Sequence, residues 1–376
     1  MSNKYRADQV GSFLRPPEVI EAHQKQRNGE ITLEQLRALE DEAILKVLDM
    51  QRQVGIDVLS DGEYRRTSWA SDFTEKVEGY VPGRPLVQMR FSNPIPPPSA
   101  GGPGNPGGPR VFGAPLKLKG RLTGEESAFL KAHAGGMPYK ITMPAPSYIT
   151  ARGYSPAESD AAFGSRKGLL MEVAKIIQQE VKALVAEGVP YIQLDNPHYP
   201  DYFVEERREA MRAAGNDPDQ ALLDDIEADN LALTGFDRSN VTLGMHLCRG
   251  NGAMGGWHTE GGYDPIAEPL FNRLNVDRFL LEYDSARAGG FGPLRFMPRG
   301  KIAVLGLVTT KSGQLETAED LTRRIEEAAR QMAMEDIALS PQCGFASVMQ
   351  GNPLTWDEQR QKLELVVSVA RNLWTD

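Results

Sequence analysis

The sequence predicts an α/β fold, a TIM-type (β/α)8 barrel, on three observations. Eight short apolar runs recur along the 376 residues, and most are followed by a stretch of helical period. The runs are continuously apolar rather than alternating, as parallel strands buried on both faces are. No G-x-G-x-x-G separates the first strand from its helix, which argues against the competing doubly wound sheet with a dinucleotide site. Barrels reach this length as one unit once loops are inserted, so residues 1–376 are expected to form a single barrel.

The elements follow in order. DQVGSF (8–13) is the first candidate strand and precedes a helical pattern over 33–53; IDVLSDG (56–62) is the second. YKITMPAP (139–146) leads into a helix over 159–187, and YIQLD (191–195) into a helical stretch reaching about 234. VTLGMHLC (241–248) is followed by a Gly-rich loop and a short helix over 264–274, and RFLLEYD (278–284) by another loop. KIAVLGLV (301–308) and DIALSPQCG (336–344) complete the eight, each with an amphipathic helix after it. Residues 81–115 hold too much Pro and Gly for a helix or a central strand. They read as an insertion between strands two and three: a surface loop, an ordered lid, or an arm that would reach a neighbouring subunit in a homodimer.

Composition narrows the partners. Lys and Arg number 42 against 51 Asp and Glu, a net charge of -9, so nucleic acid is not an expected partner. At 40% hydrophobic and 25% charged residues the chain can bury a sizeable core. No apolar run approaches the roughly 18 residues of a membrane span, and the first residues lack a signal-peptide core. The expected location is the cytoplasm.

Barrel active sites lie at the C-terminal ends of the strands. Strand one ends at Ser12, strand two at Asp61 and Glu63, and strand four at Asp195 with His198 just beyond. Strand five ends at His246 and Cys248, strand six at Glu282 and Asp284, strand seven at Thr309, Thr310 and Lys311, and strand eight at Cys343. Both cysteines of the chain thus fall on this rim.

His246 and Cys248 are two apart in a strand and face the same way. An imidazole, thiolates and a carboxylate suit Zn2+, whereas calcium or magnesium would want oxygen ligands. Cys343 and Glu282 can complete a tetrahedron with them. Taken alone, HLC reads as packing, because a buried Cys is usually a small hydrophobe. The joint placement of His246, Cys248, Glu282 and Cys343 points to metal instead. The metal-free alternative makes the two cysteines structural or redox partners.

Glu63 and Asp195 suit an ammonium group, and Ser12 with nearby backbone a carboxylate, which together describe a small amino acid. Turn and cap chemistry is the competing reading for each of the three. His198 and His258 lie in rim loops as candidate acids or bases near neutral pH. His23 and His133 read as solvated.

QVGSFLRP, DVLSDGE, YIQLDNP, HLCRGN, LLEYDSARAG and SPQCGF, in this order, resemble the catalytic barrel of cobalamin-independent methionine synthases over nearly the whole chain. The resemblance implies a short single-barrel member of that family, with Zn2+ activating a thiol, homocysteine, for methylation. It implies His246, Cys248, Glu282 and Cys343 as zinc ligands, and Ser12, Glu63 and Asp195 as homocysteine contacts. Long members carry a histidine proton donor after strand seven; here LVTTKSG puts Thr309 nearest that position, leaving Thr309 and His198 as catalytic candidates. The tryptophan expected after strand three is replaced by PAPSYIT, which offers Tyr148 and Thr150. The folate-associated N-terminal half of the long members has no counterpart. The donor therefore stays open among a methylfolate, methylcobalamin and another electrophile such as an epoxide. A protein that binds zinc and thiol without turnover is the alternative of a different class.

Overall fold

The computed structural model describes residues 5–86, 91–92 and 108–374. An antiparallel ribbon of β1 (Val77–Pro82) and β2 (Arg110–Leu118) stands outside the barrel. The barrel sheet runs in chain order through β3 (Lys140–Pro144), β4 (Tyr191–Asp195), β5 (Thr242–Leu247), β6 (Arg278–Glu282), β7 (Ile302–Val308) and β8 (Ile337–Pro341). All five pairings between these strands are parallel. Nearly every residue in them is buried, which is why their sequences are apolar without alternation.

The two remaining staves close the ring through single bridges rather than ladders. Ala7 pairs in parallel with Leu339 of β8, Ser12 with Gly62, and Leu59 with Tyr139 just before β3. Backbone bonds from Asp8 N–H to the Leu339 oxygen and from Lys140 N–H to the Leu59 oxygen fix both seams at 2.9 and 2.8 Å. Between the two staves a single backbone bond, Phe13 N–H to the Gly62 oxygen at 3.1 Å, is joined by a side chain, Ser60 Oγ donating to the Gly11 oxygen at 2.6 Å. Gly11 (φ 147°) and Gly62 (φ 71°) break the extended run at the rim, so DQVGSF and IDVLSDG form staves but not regular strands.

The outer helices follow their capping signals. The helix predicted over 33–53 is Leu33–Val54, opened by a reciprocal Thr32–Gln35 capping box and closed by left-handed Gly55; a shorter helix, Pro17–Arg27, precedes it. The stretch predicted over 159–187 divides into Pro156–Phe163 and Arg166–Glu187, separated by left-handed Gly164. The expected loop over 81–115 is strand at both ends, where Val81 pairs with Val111 and Pro82 with Arg110. Its richest Pro/Gly part, 93–107, lies outside the described residues, as does 87–90. No helix among the described residues is long and apolar enough to cross a membrane.

The barrel interior is polar beneath the rim. Lys140 Nζ, fully buried, donates to Asp8 Oδ1 at 2.6 Å and to Gln193 Oε1 at 2.9 Å. Gln193 in turn donates from Nε2 to Asp195 Oδ1 at 2.7 Å and to the Val10 oxygen at 2.6 Å. This chain of bonds satisfies the buried ion pair and ends on a carboxylate at the rim.

Candidate active site

The ends of β4, β5 and β8, with the first two staves, wall one cavity at the C-terminal rim. It contains Ser12, Glu63, Asp195, His246, Cys248 and Cys343. The ligand atoms of His246, Cys248 and Cys343 all lie within 4.8 Å of one another, and all three residues are buried. Both cysteines are free thiols.

Each member of this triad is held from behind. His246 Nδ1 donates to the Leu280 oxygen of β6 at 3.2 Å, which leaves Nε2 to face the Cys248 sulfur. Cys248 Sγ accepts the Gly250 N–H at 3.1 Å, a bond favouring the thiolate. The Cys343 thiol donates to Cys248, which holds Cys248 well below the ordinary thiol range and pushes Cys343 well above it. Burial alone would lower His246, but the Cys248 thiolate and Asp195 raise it. An imidazole nitrogen clustered with two reduced sulfurs, one already thiolate-like, fits a borderline-soft tetrahedral cation such as Zn2+.

Glu282 does not join this group. Its Oε2 accepts the Arg249 N–H at 2.5 Å and its Oε1 pairs with Arg287. Burial acts to raise its pKa, yet Lys311, Arg249 and Arg287 together hold it below the usual carboxylate range. It stands beside the triad as an ionised carboxylate carried by cations.

The three expected amino-acid contacts share the cavity with the triad. Glu63 has φ 59°, a conformation strained for a non-glycine residue, and Asp61 Oδ1 supports it by accepting the Glu63 N–H at 3.0 Å. Its Oε1 accepts from Thr142 Oγ1 at 2.7 Å, Arg66 lies 3.6 Å away, and Oε2 has no partner among the described residues. Burial raises the pKa of Glu63, and pushes that of Asp195 up to about 7. Two buried carboxylates with spare acceptor capacity favour a cationic guest. Ser12 Oγ accepts the Ala346 N–H at 3.3 Å, and a Cβ on Gly344 would sit 1.9 Å from that oxygen. Gly344 is thus the residue that allows strand eight's loop to approach Ser12.

The two catalytic candidates lie elsewhere. His198 is buried, with Nδ1 2.9 Å from Asp201 Oδ2 and Nε2 3.3 Å from Asp225 Oδ2, and it is not part of the cavity wall. Thr309 is likewise outside it and donates to Asp284 Oδ2 at 2.9 Å. The imidazole that does line the cavity besides His246 is His258. His23, expected to be solvated, is buried 3.1 Å from both Glu40 Oε1 and the Tyr64 oxygen, whereas His133 is exposed.

Tyr148, offered by PAPSYIT, does line the cavity, whereas sequence reasoning missed Trp69 and Phe91 beside it. Trp69, from the loop after the second stave, lies 4.5 Å from the Tyr148 ring between centroids, and both line the cavity. Phe91 joins them because Ser92 pairs backbone to backbone with Trp257, which folds the insertion back onto the loop after β5. A tryptophan directly after a stave end, in TSWASDF, was the available signal for Trp69.

A closed eight-stave barrel with one imidazole and two thiols converging in its rim cavity defines a (β/α)8 protein with a candidate soft-metal centre. The catalytic-domain model of the cobalamin-independent synthases matches residues 6–103 and 146–372, and the chain belongs to that family of methyltransferases. YxjH and YxjG of Bacillus subtilis are 36% and 38% identical to it, each alignment covering 98% of this chain and 95% of the relative. The methionine synthase of Pyrococcus abyssi is 24% identical over 89% of this chain and 85% of its own. Among solved structures, a Listeria monocytogenes protein provisionally described as a vitamin-B12-independent methionine synthase superposes with TM-score 0.74 at 28% identity, covering 99% of both chains. A B12-independent methionine synthase from Shewanella sp. W3-18-1, solved with selenomethionine, has TM-score 0.70 at 21% identity and 98% coverage of both, a likeness of fold.

Proposed function

We propose that the chain is a zinc-dependent S-methyltransferase that takes homocysteine to methionine. The observation that carries this reading is the convergence of His246, Cys248 and Cys343 within 4.8 Å in the same cavity as Glu63 and Asp195. His246, Cys248 and Cys343 would hold zinc, and Glu282, which stands beside them on Arg249 and Arg287, would be the fourth ligand only on leaving those partners. Bound there, zinc would lower the pKa of a thiol so that the nucleophilic thiolate exists at neutral pH.

The chain's own residues do the rest. Glu63 and Asp195 bind the substrate ammonium, and Ser12 with its neighbouring backbone binds the carboxylate, which orients the sulfur toward the triad. A sulfonate thiol would call for Arg or Lys where Glu63 and Asp195 stand, so these two carboxylates favour an amino-acid thiol. Trp69, Tyr148 and Phe91 form an apolar wall that excludes water from the transfer and gives the donor a flat surface to lie on. His198 and Thr309, outside the cavity, take no part in this reading.

The test is a donor screen with zinc-loaded protein and homocysteine, using mono- and polyglutamyl methyltetrahydrofolate, methylcobalamin and an epoxide, with products read by mass spectrometry. Methionine formed from a methyl donor supports the proposal. Zinc and homocysteine bound with no S-alkylated product from any donor supports the non-catalytic binding protein instead.

A further inference from the structure

His258 occupies a seat built for it in the loop after β5. Its N–H donates to the Arg249 oxygen at 2.8 Å, and Arg207 Nη2 donates to its carbonyl at 2.5 Å. Gly250 (φ 100°) passes so close to the ring that a Cβ there would sit 2.5 Å from Cδ2. Phe91 closes the outer side edge-on, with ring centroids 5.5 Å apart. The imidazole is thereby fixed in the cavity wall shared with Cys248, Cys343 and Tyr148.

The two ring nitrogens have different surroundings. Nδ1 lies 2.7 Å from Thr259 Oγ1 and 3.5 Å from Arg207 Nη1, and a guanidinium can only donate. Arg207 is ion-paired to Asp201, whose Oδ1 lies 4.0 Å from Nδ1 and beyond hydrogen-bond reach, so the charged guanidinium is the nearer group and Nδ1 serves as acceptor. The ring proton then resides on Nε2. Burial drives the His258 pKa down to about 4, which keeps the ring neutral at pH 7, and the Arg207 contact at Nδ1 selects the tautomer. Nε2, buried, has no hydrogen-bond partner among the described residues. A buried N–H without an acceptor is costly, and here a guest in the cavity can supply the acceptor.

We propose that the Nε2–H of His258 donates a hydrogen bond to the leaving atom of the alkyl donor, and that this atom is a nitrogen or an oxygen. This rests on the methyltransferase reading above. In the transfer, the thiolate sulfur forms a bond to the alkyl carbon while the bond from that carbon to the leaving atom breaks. The electron pair of the broken bond stays on the leaving atom, where the hydrogen bond strengthens; the ring proton remains on Nε2. His258 is then a catalytic residue on the electrophile side, opposite in function to Glu63 and Asp195. A donor whose leaving atom is a metal or a heavy halide gains little from it.

Two measurements test this. In protein labelled with 15N-histidine, five rings are present, and the H258F variant assigns His258 by subtraction. A neutral Nε2–H tautomer at pH 7 is expected; an Nδ1–H tautomer overturns the proposal. Kinetics then compare wild type, H258F and H258Q, each zinc-loaded with homocysteine, using methyltetrahydrofolate, epoxypropane and methyl iodide as probes. With the nitrogen or oxygen donor that wild type accepts, H258F should lose about 100-fold in rate, as when a single positioned donor is removed. H258Q, which keeps an N–H near the Nε2 position, should recover at least about 10-fold of that. With methyl iodide the H258F loss should be no more than a few-fold. Equal losses with all probes, or a wild type that accepts only the iodide, overturn the proposal. A wild type that alkylates homocysteine with methylcobalamin alone also overturns the proposal, whereas one that alkylates it with neither methylcobalamin nor any of the three contradicts the methyltransferase reading instead, and the tautomer still decides whether His258 presents a donor.

Discussion

His246 Nδ1 and the Leu280 carbonyl oxygen form a 3.2 Å hydrogen bond between adjacent strands β5 and β6. That bond sets the tautomer of His246, turning an ordinary strand histidine into a ligand whose other nitrogen is ready before any ion arrives. His246→Ala should lower zinc affinity by at least about 100-fold, measured by competition with a chromophoric chelator. The fold should persist, because the ring contributes a single hydrogen bond to β6.

Glu282 is predicted to matter less to zinc retention than either cysteine. Its carboxylate is already satisfied by Arg249 and Arg287 rather than gathered with the triad. Glu282→Gln should retain zinc through a chelator wash that strips Cys343→Ser, with metal content read by mass spectrometry. Equal loss from both variants would contradict the difference in their settings.

The substrate and metal roles should separate at Glu63. Glu63→Gln removes a charge from the proposed ammonium site, at a cost of about 2 kcal/mol, or roughly 30-fold in the KM for homocysteine. Zinc content should be unchanged, since the Glu63 carboxylate meets Thr142 and Arg66 and is not among the clustered ligand atoms. Zinc loss in this variant would undo the separation.

Gly344→Ala should weaken both folding and thiol binding. The added methyl would stand 1.9 Å from Ser12 Oγ, so the loop or the first stave must move. A destabilisation of about 1–3 kcal/mol is expected from chemical denaturation, with a raised KM for homocysteine.

Lys140→Met removes the 2.6 Å partner of Asp8 and leaves that carboxylate to Arg278 at 3.4 Å and the Tyr191 hydroxyl at 3.2 Å. A loss of about 1–3 kcal/mol is expected, measured by urea denaturation. The double variant Asp8→Asn with Lys140→Met should recover part of it, because a neutral amide needs no counter-charge and its oxygen can still accept from Tyr191 and Arg278. Failure of the double variant to recover would place the cost in packing instead.

Much of this was legible in the chain, for local reasons. Apolar runs of strand length mark β3 to β8, and the i, i+2 spacing of His246 and Cys248 puts both on the interior face regardless of anything distant. The first two staves were harder, because Gly11 and Gly62 interrupt pairing that only closure against β8 and β3 reveals. Glu282 was visible as a strand-end carboxylate, but not that Arg287 and the Arg249 amide would occupy it. His198 misled because its nitrogens are taken by Asp201, only three residues on, and by Asp225 from a later helix. His258 was legible as a rim-loop histidine, whereas Trp69 and Phe91 reach the cavity through loops held by long-range contacts such as Ser92 to Trp257, which no periodicity encodes.

The central claim is tested most directly by the Cys343→Ser variant, assayed side by side with wild type for zinc content and for S-methylation of homocysteine with the donor that wild type uses. The account predicts that zinc retention falls and methylation is abolished together. Full methylation by Cys343→Ser would contradict it.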